Sequence, residues 1–294
     1  MSKKVIEASE LIINSDGSVF HLHLKPGELA DNIILVGDPG RVDMVSSYFT
    51  DITARAENRE FRAVTGRYKG FPLTVVSTGI GTDNIDIVVN ELDALVNVDF
   101  NTRTAKDEHH TLNFVRIGTS GSLQPELEVG SWLLSESAIG FDGLLNFYAG
   151  RKDVTDNDFE EQFKKFVSWN PLLTQPYVVN GSAELIKKIN TDSRITIGTT
   201  ISAPGFYGPQ GRVIRLNLAD PDINTKISAF RYGERKITNY EMECSAIYGL
   251  SKLLGHNAAT VCAIIANRKA GNSNADYKPS VQALVEHVLN SLSK

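Results

Sequence analysis

Cysteine is nearly absent: Cys244 and Cys262 are the only two in 294 residues. One pair cannot build a disulfide framework, so both thiols are expected buried and reduced, as in a cytoplasmic protein. No stretch approaches the roughly 20 apolar residues of a membrane helix. The basic start (Lys3-Lys4) is not followed by a long apolar run, so no secretory signal is expected either. Positive charge is not in excess: 30 Lys and Arg against 35 Asp and Glu give a net charge of −5, which speaks against a nucleic-acid surface. Also missing are the Gly-Lys-Ser/Thr of a P-loop and the Gly-x-Gly-x-x-Gly of a dinucleotide fold. Repeats, low-complexity runs and obvious linkers are lacking too, so residues 1–294 are read as a single domain.

What is present is a set of short apolar runs, each ending in glycine or a polar turn. They are Ile33–Gly37, Leu73–Gly79, Phe114–Gly118, Ser131–Ser135, Ile195–Gly198 and Thr260–Ile265. Such runs suit strands buried on both faces. Between them, apolar residues recur at three-to-four spacing over Ile85–Val96, Ala183–Ile189, Met242–Leu254 and Val281–Leu292, which predicts helices. Strand-then-helix alternation predicts an α/β fold with helices on both faces of the sheet. The polar segment Asp99–Asn113 is expected to be an exposed loop, and its His109-His110 pair a surface feature rather than a metal site.

Several segments carry chemistry. Gly37-Asp-Pro-Gly-Arg41 leaves a strand and opens a helix, offering backbone N–H groups and a cation to an anion. In Val115-Arg-Ile-Gly-Thr-Ser-Gly121 an arginine sits inside an apolar strand pattern. Burying it demands a carboxylate partner or an anion, and Thr119 and Ser120 add hydroxyls. Asn239-Tyr-Glu-Met-Glu243 places two carboxylates before an apolar helix, where they serve either a vicinal diol or the helix N-terminus. Phe206-Tyr-Gly-Pro-Gln-Gly-Arg212 joins an aromatic face, an amide and a guanidinium in one loop. That set suits a planar heterocycle with carbonyls and an N–H. Asn58-Arg-Glu-Phe61 and the glycine-rich strand end Ser77-Thr-Gly-Ile-Gly81 are less distinctive.

Taken in order, Gly-Asp-Pro-x-Arg, Ser-Thr-Gly-Ile-Gly, Arg-Ile-Gly-Thr and Tyr-Glu-Met-Glu resemble the nucleoside phosphorylase family of the uridine and hexameric purine type, from about Val19 to the C-terminus. The resemblance implies a three-layer α/β/α sandwich with a mixed, partly barrel-like central sheet. It implies a transferase that needs no cofactor, inorganic phosphate being a co-substrate. Gln210-Gly-Arg212 matches the pyrimidine branch, whereas the late Ser-Asp of purine enzymes reads Ala266-Asn267-Arg268 here. Uridine phosphorolysis is therefore expected, with a purine phosphorylase, a nucleosidase or a non-catalytic nucleoside-binding protein as alternatives.

Carried over residue by residue, the resemblance assigns Gly37, Arg41, Arg59, Arg116 and Thr119 to phosphate. It assigns His21, Phe206, Gln210, Arg212, Glu241, Met242 and Glu243 to the nucleoside. Arg41, Arg116, Gln210, Arg212 and Glu243 form the catalytic set, with Arg268 supporting Arg212. By the same resemblance a neighbouring subunit lends Arg59 to the phosphate and His21 to the ribose 5′-hydroxyl, which implies a homo-oligomer with shared sites, a dimer at least or a hexamer. One departure is Thr82-Asp-Asn84, where the family shows Gly/Ala-Pro-Ser. An inward-pointing Asp83 would repel phosphate. With Asn84 in the serine's place beside Glu60, no intersubunit cation is expected.

Overall fold

The computed structural model describes residues 3–294. The first half runs β1 (Asn32–Val36), α1 (Pro39–Ser46), β2 (Thr50–Asn58), β3 (Phe61–Tyr68), β4 (Phe71–Ser77), α2 (Thr82–Asn97), β5 (Val98–Asp99), β6 (Thr104–Ala105), β7 (Asn113–Ser122) and β8 (Trp132–Gly140). Then follow α3 (Arg151–Val154), α4 (Asn157–Val167), β9 (Tyr177–Asn180), α5 (Ala183–Ile189), β10 (Ile195–Ser202), α6 (Ile223–Ala229) and β11 (Arg231–Tyr232). The chain ends with β12 (Arg235–Glu241), α7 (Cys244–Leu253), β13 (Asn257–Asn267), β14 (Asn272–Ser273) and α8 (Lys278–Leu292).

Period-two alternation divides the apolar strands between two helix layers. Ile33 and Leu35 of β1 pack with Ile85, Val88 and Leu92 of α2 and Ile247 of α7. Ile34 and Val36 pack on the opposite face with Val42 of α1, Leu185 of α5 and Val285 of α8. This is why β1 reads as a continuous apolar run: both faces are covered.

The strands join in the order β11-β12-β10-β8-β13-β7-β1-β4-β3-β2, with β9 on β8 and β14 on β13. β12 also pairs antiparallel with the end of β7, Tyr240 opposite Gly121. That extra pairing closes β7, β12, β10, β8 and β13 into a ring, the barrel-like part of the sheet. Register shifts in β10 next to Thr199 help bend the ring. β1, β4, β7 and β13 run parallel, so their carboxyl ends share one edge. Ligands of open parallel sheets bind at that edge.

Two expectations need correction. The helix predicted from Met242 begins at Cys244, because Glu241 accepts the backbone N–H groups of Glu243 and Cys244 at 2.9 Å and turns the chain there. The segment Asp99–Asn113 is not all loop: β5 and β6 form a small hairpin. Arg103 at its turn donates to the carbonyls of Ile6 (2.8 Å), Glu7 (2.9 Å) and Leu11 (2.5 Å), so the hairpin clamps the N-terminal arm. No described helix is long and apolar enough to cross a membrane.

Candidate active site

At the shared edge lies a cavity of about 1000 Å³. It gathers Gly37, Arg41, Arg116, Thr119, Phe206, Gln210, Arg212, Glu241, Met242 and Glu243, ten of the twelve residues proposed from sequence. Segments scattered from position 37 to 243 meet because they leave the ends of β1, β7 and β12 or ride on the loop after β10.

One end is organised by Arg116, buried on β7. Its Nη2 donates to Glu243, and its Nη1 lies 3.6 Å from Glu241 Oε2 and from Cys262 Sγ. Burial opposes the charge on Arg116, yet Glu243 and then Glu241 outweigh it and raise the group above the usual arginine range. Gly118 makes room: a Cβ there would overlap the guanidinium and sit 2.9 Å from Cys262 Sγ. Arg41 donates to the carbonyl of Ile117 at 3.2 Å. Burial first, and the neighbouring Arg116 second, push its guanidinium down from its ordinary value. Two cations held against each other favour an anion between them.

The helix-end contribution expected at Gly37–Arg41 is reduced. The Asp38 side chain takes the N–H of Gly40 (2.9 Å), the Asp38 carbonyl takes that of Arg41 (2.9 Å), and Pro39 has none. Anion recognition here falls on the Arg41 side chain rather than on free helix amides.

The carboxylates differ. Glu241 is consumed locally: besides two backbone N–H groups it accepts from Ser202 Oγ at 2.5 Å. Burial raises its pKa, Arg116 opposes the rise, and Glu243 adds to it. Glu243 is fixed by Arg116 and by the backbone N–H of Gly81, 2.8 Å from Oε1. The Ser77–Gly81 strand end thus has a role that its sequence alone did not state.

At the other end, Gln210 is buried in a short turn. Its Oε1 accepts from Arg212 Nη1 at 2.5 Å and from Arg268 Nη2 at 2.8 Å. The Arg212 guanidinium lies 3.8 Å from the centre of the Phe206 ring and donates to the Phe206 carbonyl at 2.6 Å. Arg268 lies 4.9 Å from the centre of the Tyr240 ring. Burial lowers both arginines, and the proximity of Arg212 helps bring Arg268 down to about 10. Neither guanidinium has a carboxylate partner among the described residues. Asn267, which the resemblance sets against the acid of purine enzymes, is buried and committed elsewhere. Its amide donates to the carbonyls of Gln124 (3.1 Å) and Leu127 (2.7 Å) and accepts from Lys269 N at 3.0 Å.

Glu60 and Asn84, weighed in the sequence only for a cation, line the cavity, as do Tyr240 and the stretch of Ser273, Asn274, Ala275 and Tyr277, to which sequence reasoning gave no role. The last follows a β13–β14 hairpin whose turn carries Gly271 at φ 69°, a signal present in Lys-Ala-Gly-Asn272. Asp83 is exposed in the first turn of α2 and is absent from the cavity wall, so the feared repulsion does not arise.

Arg59 and His21 stand outside this cavity. Arg59 is exposed at the β2–β3 hairpin turn with φ 55°, and Asn58 Nδ2 donates to the His21 carbonyl at 2.9 Å.

Away from the cavity, Asp93, His109 and His256 cluster within 4.8 Å. Leu112 N–H donates to His256 Nδ1 at 3.1 Å, which puts the proton of the neutral ring on Nε2, facing Asp93 at 3.1 Å. A metal would need a lone pair on that Nε2. His109 Nε2 meets the Leu254 carbonyl at 2.8 Å, and His110 meets Asp31 at 2.7 Å, so these histidines tie loops together.

Comparison with known proteins bears directly on this geometry. Residues 31–293 match the family model of the phosphorylase superfamily. A uridine phosphorylase of Thermococcus kodakarensis is 30% identical over 272 residues, covering 88% of this chain and 83% of that protein. A guanosine phosphorylase of Halorubrum lacusprofundi is 28% identical over 252 residues, covering 86% and 85%. A Trypanosoma brucei nucleoside phosphorylase, whose crystal structure is described as showing uridine phosphorylase activity, superposes with a TM-score of 0.87 at 30% identity, covering 96% of this chain and 99% of that one.

Proposed function

This chain belongs to the phosphorylase superfamily as a nucleoside phosphorylase, and on that premise we propose that it catalyses the reversible phosphorolysis of uridine to uracil and ribose 1-phosphate. The observation that carries the choice of base is the pair Arg212 and Arg268 converging on Gln210 Oε1, with no acid at that end of the cavity among the described residues. A departing uracil is an anion spread over its carbonyl oxygens, and fixed cations stabilise it as it forms. A departing purine needs a proton or hydrogen bond at N7, which a carboxylic acid supplies. The place of that acid is taken by Asn267, whose amide is already committed.

In the reaction, Arg41 and Arg116 with Thr119 and Gly37 hold phosphate beneath C1′. Glu243 accepts from the ribose hydroxyls beside Met242. Glu241 acts through the chain turn that sets Glu243. The C1′–N1 bond lengthens first, its electron pair passing to the uracil ring toward Gln210 and Arg212. A phosphate oxygen then bonds to the cationic C1′. Positioning and leaving-group electrostatics supply the rate, and no covalent enzyme intermediate or cofactor is required. His21 and Arg59 would complete the site of a neighbouring copy. Ile80 and Phe206, 68% and 51% exposed beside the cavity, are apolar surface for that copy to cover.

With saturating phosphate, uridine is expected to turn over at least about a hundredfold faster than inosine or guanosine, a floor beneath the roughly 10⁴–10⁵-fold of a site that hydrogen-bonds one substrate and leaves its groups unpaired with another. Comparable rates would move the assignment to the purine branch. Gly118→Ala offers a separate check on the phosphate end. Displacing the Arg116 guanidinium by about 1 Å should cost on the order of a hundredfold in kcat/KM for phosphate. Initial rates at varied phosphate would show it, and an unchanged value would remove Arg116 from phosphate recognition.

A further inference from the structure

We propose that Glu91, a buried carboxylate on α2, is a positioning residue that sets the tautomer and direction of His21 for the 5′-hydroxyl of a nucleoside bound in a neighbouring copy; this rests on the phosphorolysis proposed above. Glu91 does not line the cavity, and no sequence motif pointed to it.

Nearly all of its hydrogen-bonding capacity goes to one short segment. Its two oxygens accept the backbone N–H of His21 at 3.0 and 3.1 Å, and Oε2 accepts that of Leu22 at 2.9 Å. Oε1 also lies 2.6 Å from His21 Nδ1. An ionised carboxylate is acceptor-only, so Nδ1 must carry a proton. In the neutral imidazole that leaves Nε2 as an acceptor. Nε2 meets no hydrogen-bond partner among the described residues, and the side chain is 27% exposed.

The neighbours restrict the ring further. Phe20 stands edge-on with its ring centre 4.8 Å away, and Phe61 at 6.2 Å. Asn58 holds the His21 carbonyl from the β2–β3 turn that carries Arg59. The two residues assigned to a neighbour's site are thus bound into one outward-facing unit. Glu91 anchors that unit to the same helix whose first turn brings Asn84 to this chain's own cavity, two helical turns away. A hydroxyl is the ligand group that an accepting nitrogen at the end of a fixed ring selects.

The experiment measures kcat/KM with uridine and with 5′-deoxyuridine for the wild type, Glu91→Gln, His21→Ala and the double variant, each confirmed as folded by thermal unfolding. Gln keeps one acceptor oxygen where the carboxylate has two: with that oxygen on the backbone N–H groups, its NH2 faces Nδ1 and donates to it, which moves the ring proton to Nε2. The wild type should prefer uridine. Each single variant should lose roughly tenfold of that preference, the usual worth of one well-oriented hydrogen bond, with 5′-deoxyuridine little affected. The double variant should be no worse than His21→Ala. Equal losses on both substrates would make Glu91 merely structural, and multiplicative losses would uncouple it from His21. Either overturns the inference. A wild type that cleaves neither nucleoside would instead overturn the phosphorolysis itself, and with it the hydroxyl assigned to His21.

Discussion

Replacing Arg116 with methionine is expected to abolish phosphorolysis and to cost about 3–5 kcal/mol of folding stability near neutral pH, the range for breaking a buried ion pair from one side. The guanidinium is the cation that Glu243 and Glu241 share, and all three side chains are almost wholly buried. Without it, two carboxylates remain buried with no countercharge. Burial already raises the folded-state pKa of Glu241, and losing the guanidinium that opposes the rise lifts it further above the unfolded value. A carboxyl raised on folding favours the folded state at pH below its unfolded pKa, and that contribution is lost as pH rises through the folded pKa. The stability deficit of Arg116→Met should therefore be largest at pH 8 and shrink toward pH 5. Urea unfolding of both proteins at the two pH values measures it, with Arg116→Lys as a control that retains the charge. A deficit independent of pH would mean that lost packing, and not uncompensated carboxylates, is responsible.

Arg212→Ala should lower kcat/KM for uridine by about 10²–10³-fold, on the order of 3 kcal/mol, by comparison with removal of one oxyanion-stabilising donor. The fold should tolerate the change. Arg212 is partly exposed, and Arg268 still holds Gln210 through Oε1 at 2.8 Å. The loss should thus fall on the developing charge of the base rather than on its orientation. A 5-fluoro substituent withdraws electrons and makes uracil a better leaving group, so the deficit of the variant should be smaller for 5-fluorouridine than for uridine. Equal deficits would assign Arg212 to ground-state binding alone.

Much of this was legible in the sequence because the informative residues break their local pattern. Arg116 announces itself as a charge within an apolar strand, and Gln210 and Arg212 as polar groups in a loop built from Gly and Pro. The strands with both faces buried, such as β1 and β13, were plain from their continuous apolar runs. β2 was not, since Thr50–Asn58 is mostly exposed and gives no such run. Its partner β3 is mostly buried, but Thr65, Gly66 and Arg67 interrupt its apolar pattern. Glu60, Tyr240 and Asn84 were given no place in the cavity from the sequence because no local pattern puts them there. Their meaning comes from contacts across the fold, such as the Arg268 guanidinium over the Tyr240 ring. Glu91 lay hidden for the same reason: its partners are 69 and 70 residues away in the chain. Asp83 shows the converse, a residue alarming in sequence whose exposed place in the first turn of α2 suits the helix dipole.

The proposed reaction transfers the ribosyl group from uracil to phosphate. Its most direct test is to incubate the protein with uridine, with and without inorganic phosphate, following uracil by absorbance and ribose 1-phosphate by ³¹P NMR. Release of uracil only when phosphate is present, matched mole for mole by ribose 1-phosphate, is the predicted result. Uracil released at the same rate without phosphate, giving free ribose, would contradict it and assign the Arg41–Arg116 end of the cavity some other task.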